Sequence, residues 1–102
     1  MLLLGIDLGT SSVKVSVIDA VTQKTVAAAQ YPETEAEIIS LHPGWAEQSP
    51  ESWWEQVQLA VLKVHAQRAY NPGDIGAIGI AYQMHGLVAV DKDQQVLRHS
   101  II

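Results

Sequence analysis

The sequence predicts an α/β unit: a mixed sheet whose first three strands run antiparallel, joined through one helix to a strand parallel with the first. Three observations carry this prediction. A short, continuously apolar run from Leu2 to Ile6 precedes a strictly alternating one, Ser12-Val13-Lys14-Val15-Ser16-Val17, and a third strand-prone segment, Thr25 to Tyr31. Apolar residues then recur at helical spacing from Trp54 to Val64. A second continuous apolar run, Ile75 to Ala81, follows the helix, and such a crossover returns the chain parallel to its start.

Each element has a local reason. Leu2 to Ile6 is short and apolar throughout, as a fully buried strand is. The alternation from Ser12 to Val17 buries one face and leaves the other polar. Asp19 to Lys24 is a turn-rich gap, so the first three strands form a meander. Pro32 to Ser49 reads as irregular, with local negative charge at Glu33, Glu35 and Glu37 and a turn at Pro43-Gly44. Ser49-Pro50-Glu51 opens a helix with a capping hydroxyl, a proline in the first turn and an acid near the positive end of the dipole. Trp54, Val57, Ala60, Val61 and Val64 form its apolar stripe, and it stops before Asn71-Pro72-Gly73. Ile75 to Ala81 reads as a central strand covered on both faces. Leu87 to Val90 and Gln95 to Leu97 read as a hairpin around Asp91-Lys92-Asp93-Gln94.

Composition narrows the function classes. A chain of 102 residues forms one domain at most, and an apolar fraction of 48% is that of a globular protein. The formal charge of −5 and six scattered Lys and Arg residues argue against a nucleic-acid partner. With no cysteine, disulfides and thiolate metal sites are excluded. Leu2-Leu3-Leu4 is too short for a signal segment, and no run approaches the roughly 20 apolar residues of a membrane span. The expectation is a soluble cytoplasmic protein without a membrane partner.

Two constellations carry chemistry. The first is Gly5-Ile6-Asp7-Leu8-Gly9-Thr10-Ser11-Ser12. Asp7 ends a buried strand, and either organises a metal ion such as hydrated Mg²⁺ or caps its turn through its own backbone. Gly9, Thr10, Ser11 and Ser12 can cradle phosphate oxygens on their N–H groups, or simply form a turn. Lys14 lies on the polar face of the second strand, where it either neutralises a phosphate or is solvated. The second constellation is Gln83-Met84-His85-Gly86 at a strand end. Its amide and imidazole pair with hydroxyls, Met84 packs on carbon, and Gly86 allows close approach; a plain connection with one surface histidine is the competing reading. Trp45, Trp53 and Trp54 read as packing residues, and a sugar contact at Trp45 is the minority reading. His42, His65 and His99 have no metal-ligand spacing around them. Glu47 has no paired acid near it. No G-x-G-x-x-G, Walker A or G-x-S-x-G pattern is present.

The order of elements is that of the opening half of a ribonuclease-H-like fold, used by the actin-like ATPase superfamily. The chain resembles the N-terminal region of the FGGY carbohydrate kinases. Three blocks carry the resemblance: Gly5 to Lys14, Pro43-Gly44-Trp45-Ala46-Glu47-Gln48-Ser49-Pro50-Glu51-Ser52-Trp53-Trp54, and Ile78 to Gly86. Gln83-Met84-His85-Gly86 has the form typical of the family's xylulokinases, whereas glycerol kinases carry an Arg-Glu pair where Met84 and His85 stand. The resemblance implies an ATP-dependent sugar kinase converting D-xylulose to D-xylulose 5-phosphate. It implies that Asp7 helps organise Mg²⁺, that Gly9, Thr10, Ser11, Ser12 and Lys14 face the phosphates of ATP, and that Gln83, Met84, His85 and Gly86 contact the sugar.

The family's catalytic base lies in a Trp-x-Asp-x-Arg motif, expected downstream of Ile102, so no catalytic residue is expected within this chain. Residues 1–102 are expected to be the N-terminal part of the sugar-binding domain, without the ATP-binding second domain, and inactive alone. Competing readings are a kinase for another ketose or polyol (ribulose, gluconate, glycerol), a non-catalytic actin-like interaction domain, and a ribonuclease-H-like nuclease. The last needs further acids at strand ends, which Ile80 to Tyr82 do not supply. A homodimer, or self-association through an uncovered sheet, is a further expectation.

Overall fold

The computed structural model describes residues 1–102. Three strands, β1 (Leu2–Leu8), β2 (Val13–Asp19) and β3 (Thr25–Tyr31), are followed by a two-residue strand, β4 (Glu47–Gln48), and a helix, α1 (Pro50–Ala66). A 3-10 turn at Pro72–Asp74 leads into β5 (Ile75–Tyr82), and β6 (Ser100–Ile101) closes the chain. The main sheet has the order β3-β2-β1-β5, with β1, β2 and β3 antiparallel and β5 parallel to β1. The predicted α/β class and strand directions are thus present. No helix is long and apolar enough to cross a membrane.

The alternation in β2 sets the register. Leu4, Ile6 and Leu8 oppose Val17, Val15 and Val13, so all six side chains share one face. Helix α1 packs on that face over β2 and β3, bringing Ala60 and Val64 against the valines. Val13, Val15, Val17, Ala60 and Val64 are fully buried. Helix and sheet are also tied by polar side chains. Lys63 Nζ donates to the Gln30 carbonyl at 3.1 Å and Gln67 Nε2 to the Ala28 carbonyl at 2.7 Å, which occupies acceptors on the outer strand β3.

Several expectations need correction. β5 is an edge strand and almost wholly exposed, not a central strand covered on both faces. Its apolar run has the pattern of a doubly covered strand, but α1 lies over β2 and β3 instead. β1 is buried on the helix face only; Leu3, Gly5 and Asp7 share the other. The Ser49 hydroxyl does not cap α1: it hydrogen-bonds to Glu51 Oε2 at 3.1 Å, while the Ser49 carbonyl takes the Ser52 hydroxyl at 2.6 Å. The stretch before α1 is not all irregular, because β4 pairs antiparallel with β6. The hairpin at 87–97 shrinks to one bridge, Val90 with Val96, around a turn closed by Asp91 N–H to the Gln95 carbonyl at 2.9 Å. Of the three tryptophans only Trp53 is buried; Trp45 and Trp54 are exposed.

Candidate functional site

Parallel pairing of β1 with β5 builds the site. Leu8 lies beside Tyr82 in register, so the turn after β1 and the loop after β5 leave the same edge of the sheet side by side. The two constellations, Gly9 to Ser12 and Gln83 to Gly86, are thereby neighbours, at the carboxyl ends of parallel strands where α/β sheets bind ligands.

The first turn has a distinct polarity. The Ser12 carbonyl accepts from Gly9 N–H at 3.1 Å, and the Ser11 carbonyl from Ala36 N–H at 2.7 Å. The Thr10 carbonyl accepts from Gln48 Nε2 at 2.7 Å. All three carbonyls are therefore engaged, while the N–H groups of Thr10, Ser11 and Ser12 donate to nothing in the chain. A turn whose acceptors are satisfied inward and whose donors are free attracts anions. Gly9 is also held by space, since a Cβ there would lie 3.0 Å from the Ser12 carbonyl oxygen.

Asp7 and Lys14 are directly opposed across β1 and β2, on the face away from α1. Both are exposed, and neither enters an ion pair within the chain. Between them and β5 runs a shallow groove of about 500 Å³, lined by Gly5, Asp7, Lys14, Ser16, Gly79 and Ala81. Its floor is made of small residues, and a Cβ at Gly79 would meet nothing within 4 Å. The groove thus carries one free carboxylate and one free ammonium beside the unpaired N–H groups. Such a set suits a phosphate and a mostly water-ligated Mg²⁺, which needs only one or two carboxylates. No group of three or more His, Asp or Glu side chains that could hold a metal ion gathers in the chain.

In the second loop Met84 and His85 are exposed and Gly86 is half-buried. Gln83 behaves differently: its Oε1 would lie 3.4 Å from a Cβ on Gly86, and its Nε2 is buried without a partner. The amide is folded back beneath its own loop.

Sequence reasoning missed a buried carboxylate paired with a largely exposed arginine next to this site. Glu47 is only 3% exposed, and one of its carboxylate oxygens accepts a hydrogen bond from Arg98 Nη2. Its Oε2 is buried without a partner, and the residue lines a pocket of about 280 Å³ with Gly44, Trp45, Arg98 and Ile101. No spacing rule signals this pair, because its members lie 51 positions apart. Gln48 was equally silent, and Trp53 reads as a packing residue with no sign of its hydrogen bond to Gln48.

Comparison with known proteins agrees with this architecture. The profile described as FGGY family of carbohydrate kinases, N-terminal domain, matches residues 2–102. The xylulose kinase of Escherichia coli (strain K12) is 44% identical over 100 residues, which cover 97% of this chain and 19% of that protein. The xylulose kinase of Bacillus subtilis (strain 168) is 38% identical over 101 residues, with the same coverages of 97% and 19%. The chain thus spans a small part of the length of the curated relatives it matches. Among solved structures, a xyloylose kinase from Brucella ovis superposes with a TM-score of 0.90 at 37% identity, covering 100% of this chain and 21% of that one. The glycerol kinase of Plasmodium falciparum with ADP superposes with a TM-score of 0.81 at 26% identity, covering 99% and 20%. With the mixed sheet of an actin-like ATPase fold and a profile match over nearly its whole length, the chain belongs to the FGGY family of carbohydrate kinases.

Proposed function

We propose that this chain is the N-terminal, sugar-side part of a longer ATP-dependent kinase that phosphorylates D-xylulose to D-xylulose 5-phosphate. The observation that carries the phosphate side is the polarity of the Gly9–Ser12 turn, with three free N–H donors beside the free Asp7 carboxylate and Lys14 ammonium. The sugar side rests on Met84 and His85, exposed on the adjacent loop, and on the xylulose kinases among the relatives.

ATP would supply the phosphoryl group, and Asp7 would hold a Mg²⁺ ion whose charge would offset that of the phosphates. The N–H groups of Thr10, Ser11 and Ser12 orient phosphate oxygens, and Lys14 adds a positive charge at the groove's edge. Met84 packs on the sugar's carbon face, and the His85 imidazole pairs with a hydroxyl. Phosphoryl transfer depends on holding the attacking oxygen and the phosphorus in line, which the side-by-side loops suit. The base for that oxygen lies beyond residue 102, as does the domain that holds adenine. The 102 residues alone therefore turn over no sugar.

The test is coupled ADP release by the longer protein with D-xylulose, L-xylulose, gluconate and glycerol in parallel. D-xylulose is expected to give the highest kcat/KM. Preference for another of these would favour the competing reading, a kinase for a different ketose or polyol, which gluconate and glycerol kinase structures among the neighbours support. Asp7→Asn is expected to lower kcat/KM on the order of 100-fold or more. Its circular dichroism should match wild type, because the Asp7 side chain is exposed and unpaired.

A further inference from the structure

Gln48 holds the first turn of the site directly and reaches the second loop through Trp53. It is 2% exposed, and both ends of its amide are used. Nε2 donates to the Thr10 carbonyl at 2.7 Å and more weakly to the Glu37 carbonyl at 3.4 Å. Oε1 accepts from Trp53 Nε1 at 2.9 Å. The Trp53 indole is itself buried, and its far edge lies under the sugar-side loop: a Cβ on Gly86 would sit 3.2 Å from Trp53 Cη2. The folded-back Gln83 amide meets the same point, with Cδ and Oε1 at 3.4 Å. A hydrogen-bonded path therefore runs from Thr10 through Gln48 to Trp53, whose far edge lies close against Gly86.

We infer that Gln48 and Trp53 are positioning residues for phosphoryl transfer, a buried bracket that holds the Gly9–Ser12 turn and the Gln83–Gly86 loop in one fixed relation. The inference rests on the kinase reading above. The physical argument has two parts. First, the Thr10 carbonyl must point inward if its turn is to present N–H groups to a phosphate, and Gln48 supplies the buried donor that keeps it there. Without that donor the carbonyl would turn to solvent and bring a negative dipole end toward the anion. Second, the indole is a rigid plate, joined by its N–H to Gln48 at one end and packed against Gly86 at the other. A shift at either loop is therefore transmitted to the other rather than absorbed by a flexible side chain. Neither residue reaches the groove that holds Asp7 and Lys14, so both act through the loops they support.

The test uses the longer kinase with Gln48→Met, Trp53→Phe and the double variant. Gln48→Met keeps the length and burial of the side chain and removes all three of its amide hydrogen bonds. Trp53→Phe keeps an aromatic filler and withdraws the N–H and the edge beneath Gly86. Two readouts are taken below the melting temperature of every variant: steady-state kinetics with sugar and ATP, and backbone amide chemical shifts by NMR. Each single variant is expected to lose kcat on the order of 10- to 100-fold, with both KM values within about twofold of wild type. Amide shifts should move in residues 9–12 and 83–86 together, whichever residue is changed. The double variant should be no worse than the poorer single one, because both break the same bracket. Unchanged kcat in both single variants would overturn the inference, and so would shift changes confined to the loop next to the altered side chain. A wild-type protein that consumes no ATP with any sugar would overturn the kinase reading instead; the shift data then decide the bracket by the same criterion.

Discussion

Glu47 is a charged residue deep in a chain that buries few residues of any kind. A carboxylate loses most of its hydration at that depth and needs a cation close by. Arg98 supplies it from a position where its own guanidinium remains largely in solvent, with a side-chain exposure of 57%. Removing the arginine therefore strands a buried negative charge, whereas removing both charges together does not. Arg98→Met is expected to cost about 2 kcal/mol, less than for a fully buried pair because solvent already screens the guanidinium. Arg98→Met with Glu47→Gln should recover about half of that loss or more. Urea unfolding followed by circular dichroism checks both, and equal stability of Arg98→Met and wild type would show the pair contributes nothing. This residue also marks where reading the chain stops. Asp7 was legible as a candidate because a strand pattern ends on it and a turn of small residues follows, and the β1–β2 register does place it opposite Lys14. Glu47 was not, because its partner comes from the far end of the chain, and only the β4–β6 pairing brings the two together.

Among the elements, the β2–β3 turn shows how a local sequence signal becomes a pH-dependent contact. Asp19 Oδ1 accepts from Val21 N–H at 2.8 Å and Thr22 N–H at 3.2 Å. The Val21 bond first, and the Thr22 bond after it, favour the ionised carboxyl and hold its pKa below the ordinary 3.8. With the folded value lowered, the contribution to stability is present above pH 3.8 and is lost as pH falls through that lower value. The protection of the Val21 amide, its exchange rate set against the intrinsic rate at each pH, should therefore be full at about pH 5 and fall as pH drops through that lowered value. Asp19→Asn, which keeps an acceptor but no charge, should flatten that dependence. Equal pH dependence in wild type and Asp19→Asn would show that the carboxylate is not what holds the turn. The turn, the three antiparallel strands and α1 were all legible, because hydrophobic period and turn residues are local properties. The environment of β5 was not. A continuous apolar run says that a strand expects cover on both faces, but not whether the chain at hand supplies it.

Across the whole molecule, α1 protects only half of the sheet's apolar face. Between the helix and β5 lies a groove of about 750 Å³ lined almost entirely by apolar side chains, among them Leu4, Ile6, Leu8, Trp54, Val61 and Ile80. Ile80 is 63% exposed there, and β5 presents an unpaired edge beside it. An apolar surface next to a free strand edge drives association unless something covers it. In the proposed longer kinase the remaining chain is expected to provide that cover, and in the 102 residues alone a second copy is expected to. The two situations give opposite responses to one substitution. Ile80→Lys should leave the short chain folded and shift it toward the 11.1 kDa monomer in sedimentation equilibrium, where the unsubstituted chain runs heavier. In the longer kinase the same change should destabilise by about 3 kcal/mol or more, as a charge placed in an apolar contact does. A short chain that is monomeric without the substitution would show that the exposed groove does not drive association. A longer kinase indifferent to Ile80→Lys would show that the groove stays open to water in the full protein, and β5 would then be an outer edge there too.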